Sequence, residues 1–272
     1  SLNNNTTGSA NAAFGTEALT SSTTSMRNTA IGYYAMRAVT TGSNNTAIGK
    51  DAMMTNQTGS NNTALGYRSL EVNTANNNTA VGYKSLLANT SAAAVTGVGY
   101  QALAENTTGA ENTAVGANAL EKNTTADNNT GVGYKALEVN TTGSNITAVG
   151  NYALDANTTA SDNTAVGYQA LTANTTGTDN TAVGMQVLKA NTTANNNSGF
   201  GNGFSHPILG LDHFLVMLGV GVWGAQMQGR RMWSLPVTFP IIMSLGAIIS
   251  LSNIFVLFHV AVSYTHLRAH ET

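Results

Sequence analysis

His206, Asp212 and His213 stand in an H-x5-D-H arrangement at the head of an apolar stretch. Two imidazoles and a carboxylate form a donor set for a divalent transition ion, because imidazole suits nickel, zinc and copper and a carboxylate completes the set. An ionisable side chain within a membrane helix is costly and marks function by default. His206 precedes the helix, so it folds back over Asp212 only if the 207–210 turn allows it. A second reading needs no metal. Asp212 near a helix N-terminus is favoured by the macrodipole, with the histidines at the interface.

Two apolar stretches must position these residues. Residues 209–226 are apolar apart from Asp212 and His213, and residues 235–261 carry no Asp, Glu, Lys or Arg. Each is long enough for a helix to cross a hydrocarbon core of about 30 Å. Arg230 and Arg231 lie between them, which predicts a cytoplasmic loop, and Trp223 and Trp233 flank it as interfacial anchors. Everything upstream of residue 204 then falls on the outer side, extracellular or periplasmic, with the C-terminal segment in a bacterial inner membrane.

That upstream part is a repeat, N-T-A-V-G-Y-x-A-L-x-x-N-T-T-G-x-x, marked by Gly15, Gly32, Gly49, Gly66, Gly82, Gly99, Gly116, Gly133, Gly150, Gly167, Gly184 and Gly201. Successive glycines are 17 residues apart except Gly66 and Gly82, which are 16 apart. So short a fixed period predicts a solenoid in which each repeat is one coil stacked on the last. By strand alternation Val166 and Tyr168 share one side and Ala165 and Gly167 the other. Leu171 is a second apolar anchor, recurring as Leu70, Leu86, Leu103, Leu120, Leu137, Leu154 and Leu188, with Met36 and Met53 earlier. The coil is expected to bury one Val-class and one Leu-class side chain, each worth roughly 1.5–3 kcal/mol. Asn174, Thr175, Thr176 and Gly177 are turn formers, because Asn and Thr bond nearby backbone. The Y-x-A-L piece fits either a second strand or one helical turn. The expected fold class is a mostly β solenoid, a β-roll of 17-residue coils with room for short helical turns, followed by two transmembrane α-helices. Stacked at about 4.8 Å, twelve coils give a rod of roughly 55–60 Å. So thin a coil gains most by packing against two others, which predicts a homotrimer.

Composition excludes several functions. The 272 residues include no cysteine, so disulfide scaffolds and thiolate metal sites are ruled out. Only 9% of residues are charged, the formal net charge is −2, and no basic patch supports nucleic-acid binding. Glu71, Glu105, Glu121, Glu138 and Asp155 read as a solvated edge without an acid/base pair. The glycines recur with the repeat and match no phosphate fingerprint. No nucleophile–base set appears, so no enzyme is expected and no cofactor is required. N-x-T sequons such as 44–46 and 174–176 follow from Asn/Thr turn chemistry without glycosylation. The recurring Tyr33, Tyr67, Tyr83, Tyr100, Tyr134 and Tyr168 are either packing between coils or an aromatic strip for a cell-surface or glycan ligand.

Residues 11–202 resemble the head and stalk repeats of YadA-like trimeric adhesins, and N-T-A-x-G arrays of phage tail fibres and bacterial surface proteins. The resemblance implies a trimeric β-roll that holds a binding tip away from a cell or virion. The stretch G-F-S-H-P-I-L-G-L-D-H-F-L-V-M-L-G-V-G-V-W-G-A-Q, residues 203–226, resembles the first membrane helix of the HupE/UreJ family. The likeness continues through residue 247 and departs near Ser250. His206, Pro207, Gly210, Asp212, His213, Met217, Trp223 and Gln226 fall on its motif positions. It implies a nickel or cobalt permease segment, with His206, Asp212 and His213 binding the transported Ni(2+) or Co(2+), and with two of roughly six helices present. Residues 262–272, V-S-Y-T-H-L-R-A-H-E-T, resemble the translation of a sequencing adapter. The chain is therefore divided into 1–203, a twelve-coil repeat; 204–261, a membrane segment; and 262–272, an artefactual tail. On this reading it is a fragment of an environmental gene, open at both ends, whose join near 202–204 is an assembly chimera or a true fusion.

Overall fold

The computed structural model describes residues 2–200, all within the first of two compact units, Ser1–His206. Twelve three-residue strands, β1 (Ala12–Phe14) to β12 (Ser198–Phe200), form one parallel sheet in strict sequence order. Every strand lies in register on the next, as Thr113↔Thr130, Ala114↔Gly131 and Val115↔Val132 show for β7 (Thr113–Val115) and β8 (Thr130–Val132). This is the expected β-solenoid. The 16-residue coil keeps the register, with Thr63 paired to Thr79. Its missing residue is taken from the turn: the Asn73 side chain reaches the carbonyl of Ala75 two residues on, whereas Asn106 reaches that of Gly109 three residues on.

The marker glycine is fixed by two causes. Gly116 has φ of 136°, a region that L side chains rarely adopt, and a Cβ there would lie 2.4 Å from the carbonyl oxygen of Gly133 in the next coil. The same close approach recurs along the column, so the strand can turn outward only at glycine.

The Y-x-A-L piece is neither a strand nor a helical turn. Its x and L residues both take left-handed backbone, as Asn118 (φ 56°) and Leu120 (φ 51°) do. Left-handed backbone is worst for β-branched side chains, which explains why the anchor is always Leu or Met and never Ile or Val. The anchor is compensated by complete burial, with Leu103, Leu120 and Leu137 at 0% exposure, and by stacking bonds such as Leu120 N–H to Ala136 C=O at 2.9 Å.

The expectation that Val-class residues are buried is corrected. The inward strand residue is alanine, as in Ala114 and Ala165, and the outward flanks are exposed or half-buried, as in Ile31, Val115 and Val183. Leucines, alanines and asparagine amides fill the coil interior, and only a Cβ, or none at Gly97 and Gly131, fits beneath the strand.

The asparagines also do more than make turns. From Asn89 to Asn174 each amide donates to the side-chain oxygen of the asparagine one coil earlier, the first acceptor being Asn73, at 2.8–3.1 Å. All are fully buried. A second column binds the strand entry: Asn129 N–H meets the Asn112 Oδ1 at 2.8 Å, and the Asn129 amide donates to Gly143 C=O at 2.8 Å. Val95 and Ile146 replace asparagine in that column and are buried as apolar equivalents. Buried polar groups require such partners, so the repeat spells a core in which buried amides lie among leucines and alanines.

Candidate functional site

The outward columns beside the sheet are the candidate site of the described part. Strand positions flanking the inward residue place a Thr column and a Val-class column side by side, and no strand residue of β1–β12 is charged. Phe14 (78% exposed), Ile31, Ile48, Leu65, Val115 and Val183 lie open along the second column. The column that follows the marker glycines holds Tyr33, Tyr67, Tyr83, Tyr100, Tyr134 and Tyr168. Tyr67 and Tyr83 stack with centroids 5.4 Å apart, and Tyr83 and Tyr100 at 5.2 Å with planes 6° apart. Lys50 Nζ lies 5.2 Å over the Tyr67 ring and Lys84 Nζ 5.2 Å over that of Tyr83, within cation–π range. Farther along, Tyr152 meets Tyr134 and Tyr168 edge-on. Within the Tyr67–Tyr83–Tyr100 stack the tyrosines cover one another's faces, which fits coil-to-coil packing better than a platform on which sugars lie flat.

The carboxylates are more varied than a solvated edge. Glu71 is buried and paired with Arg68, whose guanidinium is held above its usual range by that hydrogen bond. Lys122 Nζ is 2.6 Å from Glu105 and Lys135 Nζ 3.0 Å from Glu138, both near the surface; each lysine is raised by its hydrogen bond to the carboxylate. Such exposed pairs contribute little to stability. Asp155 is held above the usual carboxylate range chiefly by burial, while the Thr172 hydroxyl bond pulls the other way. The N-T-T sequons bury their asparagine, as at Asn140, Asn157 and Asn174.

Among the described residues no group of three or more His, Cys, Asp or Glu could hold a metal, and no helix is long and apolar enough to cross a membrane. His206, Asp212 and His213, the stretches 209–226 and 235–261, the Arg230–Arg231 loop and the 262–272 tail all lie outside the described residues.

Comparison with known proteins speaks to that C-terminal part. Residues 181–264 match the HupE / UreJ protein family. The match begins in β11 (Thr181–Val183), upstream of the expected start at 203, and extends past Ser250. Protein HupE of Rhizobium leguminosarum bv. viciae is 38% identical over 52 residues, covering 19% of this chain and 27% of that protein. The chain thus spans about a quarter of the length of the curated relative it matches. No solved structure matches. The chain combines a β-solenoid repeat with a HupE/UreJ-like segment, and neither is enzymatic.

Sequence reading missed the amide columns and the outward Val face. The signal for the face was present. The inward position is only Ala or Gly, while the outward one ranges over Phe, Ile, Leu and Val, and a position that tolerates every size is not confined.

Proposed function

We propose that this chain is a surface-exposed repeat stalk, an adhesin- or fibre-like structural and binding module, joined to the N-terminal segment of a nickel or cobalt permease of HupE/UreJ type. The match over residues 181–264 carries the transport half of this reading. Residues 209–226 and 235–261 are membrane helices in it, the Arg230–Arg231 loop is cytoplasmic, and the rod stands outside the inner membrane. His206, Asp212 and His213 supply imidazole and carboxylate ligands to the transported ion. The solenoid supplies length and a repeated surface in place of a reaction site, and it assembles as a homotrimer.

Nickel uptake tests the transport reading, in cells expressing the chain completed with the remaining helices of the HupE relative. His206→Ala is expected to abolish uptake, and unchanged uptake overturns the ligand role. Long-read sequencing across codons 190–215 of the source DNA tests the join. A continuous product supports one protein, and no product separates the stalk from the permease segment.

A further inference from the structure

Among the described residues the outward face of the sheet is an open, uncharged surface of Thr and Val-class side chains, and the coil interior behind it is filled. We propose that the Thr–Val–Tyr face is where copies of this chain meet, turned toward a common axis and running parallel. This rests on the self-association proposed above and names the surface that performs it.

Three observations favour a second copy as the occupant. The first is area. Eleven steps of about 4.8 Å along the rod, and four residue steps of about 3.3 Å across from Thr to Tyr, outline on the order of 700 Å² per copy. Two such faces together reach about 1,400 Å², within the range of stable interfaces.

The second is composition. The strand columns carry no charge, and the flanking column holds tyrosines and Met185 with Lys50 as its one charged residue. Interface centres are depleted of charge and enriched in aromatic residues and methionine. In a parallel arrangement Lys50 is the single charge brought near its own equivalent, and its Nζ is paired with Asp51 at 3.2 Å in the same coil.

The third is regularity. Each strand is in register on its neighbour throughout. Two copies in parallel therefore bring every Val-class residue opposite its own equivalent over the whole length. A single coil presents too little surface to hold a partner, whereas twelve in phase present one continuous strip. Parallel running follows from a shared direction of attachment at the C-terminal end.

The chain has no cysteine, so a single introduced thiol reports position without background. Full-length Val115→Cys, Val166→Cys and Thr142→Cys would each be treated with a short bismaleimide and resolved on denaturing gels. Thr142 is exposed on the N-T-T turn. Val115→Cys and Val166→Cys are expected to give covalent dimer in at least about tenfold excess over Thr142→Cys, because an interface raises the effective thiol concentration. Crosslinking at Val115 without Val166 means antiparallel copies and overturns the parallel arrangement. Equal crosslinking at all three sites, or crosslinking at Thr142 alone, overturns the face. Sedimentation mass of the unmodified chain separates the two levels: a monomer ends the self-association reading, while an oligomer that does not crosslink through the valines ends only this inference.

Discussion

Replacing Asn140 with alanine tests whether the buried amide column holds the rod together. The Asn140 amide donates to Asn123 Oδ1 at 3.1 Å and to Gly143 C=O at 2.9 Å, and its own oxygen accepts from Asn157 at 2.9 Å. After truncation the Gly143 carbonyl keeps Asn129 at 2.8 Å, and the Asn157 amide keeps Ala160 at 3.0 Å. Asn123 Oδ1 is left with one long contact at 3.5 Å from Asn129, and one N–H of Asn157 loses its acceptor. Two buried groups become under-satisfied, and because each keeps one partner the cost is about 1–2 kcal/mol apiece, so coils around residue 140 should open more easily by about 2–4 kcal/mol. Hydrogen exchange read by mass spectrometry on the full chain measures this locally. Amides between residues 120 and 160 should exchange roughly 30- to 700-fold faster, at 1.4 kcal/mol per tenfold. Asn191→Ala is the control. The column ends at Asn174, whose Oδ1 has no partner, and Asn191 bonds only within its own turn, to Ala194. Its replacement should change exchange less than about tenfold, since little buried bonding is lost. Equal acceleration by the two variants, or none by Asn140→Ala, would refute a stability role for the amide column.

Two further outcomes follow from the coil geometry. Gly116→Ala places a Cβ against the Gly133 carbonyl at a φ of 136° and should cost at least about 3 kcal/mol, exposing the rod to protease near coils 116–133. Gly131→Ala meets only Leu120 side-chain carbons at 3.2 Å and Ala136 O at 3.3 Å, at a position that is alanine in most coils, and should leave the limited-proteolysis pattern unchanged. Asp155 has a folded pKa raised above its unfolded value, so its contribution is full at acid pH and is lost as pH rises through the folded value. Asp155→Asn should therefore be at least as stable as the parent at neutral pH, with the difference shrinking on acidification. Melting curves at both pH values check it, and a variant that is weaker at neutral pH than in acid contradicts it.

The sequence by itself determined that residues up to about 200 stack as coils. Marker glycines 17 residues apart impose one turn per repeat, and the 16-residue exception stays in phase because the loss falls in an adaptable Asn turn. It also carried the HupE/UreJ likeness, since His206, Asp212 and His213 lie close together in sequence and need no fold to be noticed. Tertiary structure decided which side of the strand faces in. Alternation groups Val166 with Tyr168 and Ala165 with Gly167, but period two is symmetric and does not say which pair is inside. The interior width settles it: Leu171 and the amides of Asn163 and Asn174 occupy the space, so Ala165 is buried and Val166 is turned outward. Only stacking revealed the amide columns, because a bond between residues 17 apart, such as Asn157 to Asn140, does not exist until one coil lies on the next.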